Sequence, residues 1–358
     1  LGWHWWPSDS AIISREYEGR SPCINLGSCG SGCSQGAKAS TDITYWPLSQ
    51  RKGVQLRTNC RVKQITVRPD GTADGVLYYD ADGVLQEQKA EIVVLACNGI
   101  GTPRLLLNSK SAQHPDGLAN SSGLVGKNLM FHPYALIRGV FDEELNGRRG
   151  PGGCTFWSHQ FYKTDPSRGF VRGYSYEGTR GSGPATTALW GMATGRVPWG
   201  EAHHEAFARL NGHVAGMVAI TEDLPDEANC VTLDPVLTDS DGIPAPKVTY
   251  TLSENSRRQL AHAVDRGAEA LRAAGAIDVI AEPLMRTAGW HLMGTARMGT
   301  DPGRSVVNEW GRAHDVKNLF VADGGPFVTN ADKNVTWTIL ALAMRTSEHI
   351  ADQRKAGA

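Results

Sequence analysis

GWHLMGTARMG (residues 289–299), KNLFVADGGPF (317–327) and ADKNVTWTILALAMR (331–345) are the stretches whose reading decides the fold. The apolar run at 319–322, with turn residues on both sides, reads as a buried strand, and Asp323-Gly324-Gly325-Pro326 is its tight exit. A carboxylate at such a strand end, Asp323, is expected to face ligand. From Val335 onward, Leu340, Ala343 and Met344 recur at helical spacing with few charges before Arg345, which predicts a largely buried helix. Its first N–H groups lie beside Asn334 and favour an anionic or electron-rich partner. Taken singly, His291 before a glycine turn is most simply a satisfied structural histidine, and Asn334 a helix N-cap.

Upstream, the alternation in VQLRTNCRVKQITV (54–67), a Pro-Asp-Gly turn at 69–71, GVLYYD and an Asp-Gly turn at 82–83 predict strands joined by hairpins. The run 92–96 reads as a parallel strand buried on both faces. It leads into Cys97-Asn98-Gly99-Ile100-Gly101-Thr102-Pro103, where Thr102 suits a helix N-cap and Pro103 a first turn. Strand, glycine turn and helix is how an α/β sheet brings backbone to a dinucleotide. Helices are also expected over 37–50 and 261–274. Between about 134 and 285 the aromatic, glycine and β-branched segments predict an antiparallel sheet with helices behind it.

The order His291, Gly294, Thr295, Met298, Gly299, then NLFVAD ending in Asp323, then Asn334 ahead of the last helix resembles the C-terminal signature of the glucose-methanol-choline (GMC) family of FAD oxidoreductases. The turn Gly126-Lys127-Asn128-Leu129-Met130-Phe131-His132-Pro133 is similar to a further family turn. Cysteine-rich CINLGSCGSGCSQGAKAST (23–41) is similar to one in the sugar-acid dehydrogenase branch. The resemblance implies an α/β, Rossmann-like FAD-binding domain over 1–133 and 286–358, and an α+β substrate domain with an antiparallel sheet over 134–285. It implies His291 and Asn334 as the catalytic pair, with FAD contacts at Val62, Cys97, Asn98, Gly99, Thr102, Asp323, Gly324, Asn334, Val335 and Thr336. Gln160, His159 and Arg172 are the candidates for holding substrate.

The implied reaction oxidises an alcohol, with a sugar or glycoside hydroxyl favoured because a His–Asn pair resembles pyranose oxidases and sugar or gluconate dehydrogenases. Competing readings are a lyase on the same scaffold and a non-catalytic, partner-binding fragment. Electrons would pass to oxygen, or to a cytochrome or quinone. The sequence holds no G-x-G-x-x-G between a strand and a helix. The family carries that fingerprint before the counterpart of Leu1, so a preceding segment or a second chain is expected to complete the FAD site.

Composition narrows the remaining classes. With 358 residues, 41% hydrophobic and 20% charged, the chain has the make-up of a soluble globular protein. Its formal net charge of −1, without a lysine-arginine run, gives no reason to expect nucleic acid. No apolar stretch reaches the roughly twenty residues that cross a bilayer. A cytoplasmic or periplasmic location stays open. Seven cysteines form no compact framework but leave room for one bridge. Cys23, Cys29 and Cys33 lack a fourth partner, and His203-His204 lack a third ligand, so no metal is expected.

Overall fold

The computed structural model describes residues 1–27, 29–30 and 32–356; Ser28 and Ser31 of the cysteine-rich turn lie outside them. The strands in chain order are β1 (Trp6–Pro7), β2 (Arg61–Val67), β3 (Ala73–Tyr79), β4 (Leu85–Lys89), β5 (Val93–Leu95), β6 (Tyr134–Val140), β7 (Cys154–Phe161), β8 (Tyr174–Thr179), β9 (Val214–Thr221), β10 (Cys230–Thr238), β11 (Pro244–Thr249), β12 (Asp278–Glu282) and β13 (Leu319–Val321). The α-helices are α1 (Tyr45–Arg51), α2 (Asn98–Asn108), α3 (Pro184–Ala193), α4 (His203–Leu210), α5 (Glu254–Ala273) and α6 (Thr336–Lys355). They fall into two compact units. One comprises Leu1–Leu56, Pro133–Glu222 and Glu254–Ala288; the other comprises Arg57–His132, Asp223–Ser253 and Gly289–Ala358.

The second unit is the α/β one. Its two apolar runs pair in parallel, β13 on β5, with Leu319 opposite Val93 and Val321 opposite Leu95. Beside them stand the antiparallel sheet β2-β3-β4 and the hairpin β10-β11. Ile65, Leu106, Leu118, Val307, Val316 and Leu319 form the core between these elements. Burial of such side chains is the main favourable term holding the unit together, at about 1.5–3 kcal/mol each. Two expectations fail here. β5 buries Val93 and Leu95 but leaves Val94 48% exposed. Helix α6 is not largely buried: of its residues only Thr346 is. Its contacts with the 309–310 turn are polar and aromatic instead. Thr346 Oγ1 and Arg345 Nη2 donate to the carbonyls of Trp310 and Glu309, and the His349 ring stacks on Trp310.

The first unit is built on one antiparallel sheet in the order β1-β7-β8-β9-β6-β12. Helix α5 buries Leu260, Ala263, Gly267 and Leu271, residues at helical spacing, and its Ala263 carbonyl accepts the Tyr176 hydroxyl at 2.5 Å. This helix begins at Glu254, well before the expected start, because its first turns (Glu254 to Gln259) are polar and carry no apolar signal. By contrast α1 is shorter than the expected 37–50. Thr44 Oγ1 bonds the Ser40 carbonyl at 2.6 Å and Ser40 Oγ bonds Asp42, so local side-chain bonds hold 40–44 in turns.

The observed division also departs from the expected 1–133/286–358 and 134–285. Residues 1–56 join the antiparallel sheet because β1 pairs with β7 and Trp3 stacks on Tyr176. The hairpin β10-β11 joins the α/β unit because Arg104 of α2 donates to Asp239 at 2.8 Å and to the Pro244 carbonyl at 2.7 Å.

Candidate active site

Two distant segments of the α/β unit, 128–132 and 291–294, run antiparallel. Met130 and Met293 exchange backbone hydrogen bonds of 3.0 and 3.1 Å, and both side chains are fully buried in a small cluster with Val335. Counting outward from that bridge in opposite directions, His132 and His291 fall opposite each other. Their Nδ1 atoms are 2.8 Å apart and their rings are perpendicular, at 89°. Close approach demands glycine at 294: its φ is +94°, and a Cβ there would stand 2.0 Å from the Asn128 carbonyl oxygen. His291 itself takes φ 63°, a left-handed conformation that costs a non-glycine residue about 1 kcal/mol.

His132 is fully buried, and its Nε2 is hydrogen-bonded to the Ala331 carbonyl. Burial lowers its imidazole from 6.5 to about 4, against the Ala331 carbonyl, which favours the charged ring. Burial also lowers His291 to about 4. Both rings are therefore neutral at pH 7. The peptide before His132 is anchored on each side. Asn330 Nδ2 donates to the Phe131 carbonyl at 2.8 Å, Asn330 Oδ1 accepts from the Asp223 N–H at 2.9 Å, and Tyr250 donates to Asp223 at 2.8 Å.

Asn334 is exposed and lies between Ala331, the acceptor for His132, and Val335, which packs on Met130 and Met293. It is not the helix cap. The N-cap of α6 is Val335, which makes no side-chain cap bond, and Thr336 is the first helical residue.

Asp323 is buried at the end of β13. Thr102 Oγ1 donates to its Oδ2 at 2.5 Å and the Gly325 N–H to its Oδ1 at 2.7 Å. Burial raises its pKa, and the Thr102 bond opposes that. Its carboxylate thus ties two strand-end turns together rather than being held out toward ligand. Gly324 lies close under Leu292, where a Cβ would meet the Leu292 carbonyl at 2.3 Å.

Thr102 is inside α2, whose N-cap is Cys97, and so is not the cap expected of it. Pro103 then leaves the Gly99 carbonyl, four residues back, without a helical N–H. Thr295 Oγ1 donates to that carbonyl at 2.8 Å instead. Asn98, at φ 65°, accepts the N–H groups of Ile100 and Gly101 at 2.9 and 3.2 Å, and with Cys97 remains exposed at the end of β5. Val62 is 38% exposed on β2, opposite Tyr78.

The substrate candidates lie in the other unit. Gln160 and His159 line a cavity of about 700 Å³ with His4, Trp6, Lys163 and Arg168, and Gln160 Oε1 accepts the His4 N–H at 3.2 Å. Arg172 is not among its lining residues and pairs with Glu222 at 3.7 Å. All seven cysteines are free thiols, so no bridge forms among them. Among the described residues no cluster of three His, Cys, Asp or Glu is arranged to hold a metal, and His203 is tied to the Pro198 carbonyl at 3.1 Å. No described helix is long and apolar enough to cross a membrane.

His132 is the residue sequence reasoning passed over. In the sequence it is one residue of the 126–133 turn. The signal was present in the His-Pro pair, since the residue before proline is held extended and can enter a ladder.

Family models described as GMC oxidoreductase match residues 8–134 and 225–343. The chain is 45% identical over 355 residues, 98% of its length, to a 2-methyl-1,2-propanediol dehydrogenase of Mycolicibacterium austroafricanum. It is 30% identical over 358 residues, its whole length, to the fructose dehydrogenase large subunit of Gluconobacter japonicus. The chain spans 64% of the length of each of these relatives. Among solved structures, pyridoxine 4-oxidase from Mesorbium loti superposes with a TM-score of 0.59 at 15% identity, over 88% of this chain and 62% of that one.

Proposed function

The chain belongs to the GMC oxidoreductase family, and from that premise we propose that it oxidises the alcohol group of a polyhydroxylated small molecule, a sugar or glycoside, to a carbonyl. The cofactor is FAD, which when bound accepts the hydride leaving the carbinol carbon. The observation that carries the reading is the His132–His291 contact: a neutral, desolvated imidazole of the family motif held by a second one at 2.8 Å.

The residues present fit the flavin. The N-cap of α6 makes no side-chain cap bond, and the positive end of this helix, with Asn334, Val335 and Thr336 beside it, suits an electron-rich ring edge. Cys97 and Asn98 are exposed residues where β5 ends, and Gly99 and Gly324 keep the Leu292 turn close to both strand ends. Thr102 and Asp323 hold those turns together, and Val62 lies on the neighbouring sheet.

His291 takes the hydroxyl proton; a neutral imidazole is the right acceptor at neutral pH. Asn334 holds the same oxygen through its amide N–H, so that the carbinol hydrogen is fixed in direction. Gln160, His159 and Arg172 are the side chains proposed to bind substrate hydroxyls.

The 45% identity to a 2-methyl-1,2-propanediol dehydrogenase favours a second reading of the substrate, a small vicinal diol. Anaerobic bleaching of bound flavin by sugars against 1,2-diols separates the two. Bleaching by neither would overturn alcohol oxidation and turn attention to a lyase. Peroxide formation with and without an artificial acceptor distinguishes oxygen from a cytochrome or quinone. In His291→Ala, flavin should be retained while its reduction by substrate slows by roughly 10²–10⁴-fold; undiminished reduction removes His291 from the reaction.

A further inference from the structure

We infer that His132 is a positioning residue which keeps the proton of His291 on Nδ1 and so leaves Nε2 of His291 as its basic nitrogen. The inference deepens, and depends on, the reading of His291 as the base. A backbone carbonyl can only accept, so the Nε2 of His132, hydrogen-bonded to the Ala331 carbonyl, must carry the hydrogen. A neutral imidazole has one such hydrogen. The Nδ1 of His132 is then a lone pair, and the Nδ1 of His291, 2.8 Å away, must be the donor. The hydrogen of His291 is thereby spent, and its Nε2 is the nitrogen able to receive a proton.

The alternative arrangement requires His132 to be an imidazolium donating from both nitrogens. Complete burial of that ring opposes this. The groups bearing on His132 are His291, Asp332 and Lys333, and the last two are paired with each other at 2.6 Å, so neither supplies an unbalanced charge. The ring also cannot swing away easily. Its neighbour Phe131 is fixed through Asn330 and Asp223, and Met130 is bridged to Met293. When His291 takes a hydroxyl proton on Nε2, its Nδ1–H continues to donate to His132, which stays neutral; only one proton changes place.

A histidine without such a partner favours the hydrogen on Nε2, which would leave the wrong nitrogen bare. The test is 15N NMR of the whole flavoprotein labelled in its histidine rings, at neutral pH, with His291 assigned by the signals lost in His291→Gln. In the wild type, Nδ1 of His291 should be proton-bearing and Nε2 bare. His132→Asn keeps an acceptor near the place of Nδ1 and should preserve that pattern and most of the activity. His132→Leu should move the hydrogen to Nε2 and slow anaerobic flavin reduction by roughly 10–100-fold, with KM little changed. A bare Nδ1 on wild-type His291, or an unmoved hydrogen in His132→Leu, overturns the inference. Should His132→Leu not fold, the wild-type and His132→Asn spectra decide alone. The spectra need no turnover: with the expected tautomer and no alcohol that bleaches flavin, the tautomer stands and alcohol oxidation is what falls.

Discussion

A histidine held neutral by burial leaves its mark on stability as well as on chemistry. His132 and His291 both lie near 4 in the folded chain against 6.5 ordinarily, so as pH falls the unfolded chain takes up protons first. The stability this pair lends is complete above pH 6.5 and is lost as pH drops from there through about 4. Denaturant midpoints should decline across that window, and less steeply in His132→Asn; a level profile would contradict neutral burial of the pair. At this scale the sequence was half legible. His291 stood out through its company of Gly294, Thr295 and Met298, but His132 did not, because its partner lies 159 positions away and only the Met130–Met293 bridge brings the two together. Asn334 looked like a cap because Asn favours that place, yet the helix begins one residue later.

Helix α2 shows how one element borrows from another. Thr295 supplies the donor that Pro103 lacks, so Thr295→Val leaves the Gly99 carbonyl unsatisfied and should cost about 1–3 kcal/mol in chemical denaturation, with Thr295→Ser close to wild type. Gly294→Ala meets both an unfavourable φ of +94° and the Asn128 carbonyl, and should lower stability by at least about 1–3 kcal/mol. Unchanged midpoints in either would remove the turn from the list of constraints. Strands β2 to β5 and β13 could be read from alternation and apolar runs bounded by turns. Helix limits could not. The first turns of α5 are polar, local Ser40 and Thr44 bonds shorten α1, and the apolar residues of α6 suggest a buried face although only Thr346 of the helix is buried and it bonds the 309–310 turn. Periodicity reports which residues would suit burial, not what covers them.

Across the whole molecule the chain passes between its two units at 56/57, 132/133, 222/223, 253/254 and 288/289. The expected contiguous substrate domain, 134–285, would therefore lack β1 and the Trp3 stack on Tyr176, and would carry a β10-β11 hairpin cut off from Arg104. Expressed alone, it should give poorly dispersed NMR spectra and no cooperative melt; a cooperative transition would show that the sheet needs neither. Such interleaving cannot be seen in composition, because no linker-like stretch marks the crossings. It also sets a timetable at the ribosome. Strand β5 emerges 226 positions (319 − 93) before its parallel partner β13, a wait of roughly 10–45 s at 5–20 residues per second. For that interval an apolar strand rides on the nascent polypeptide without its β13 partner, and whatever shelters it there bears on the yield of finished protein.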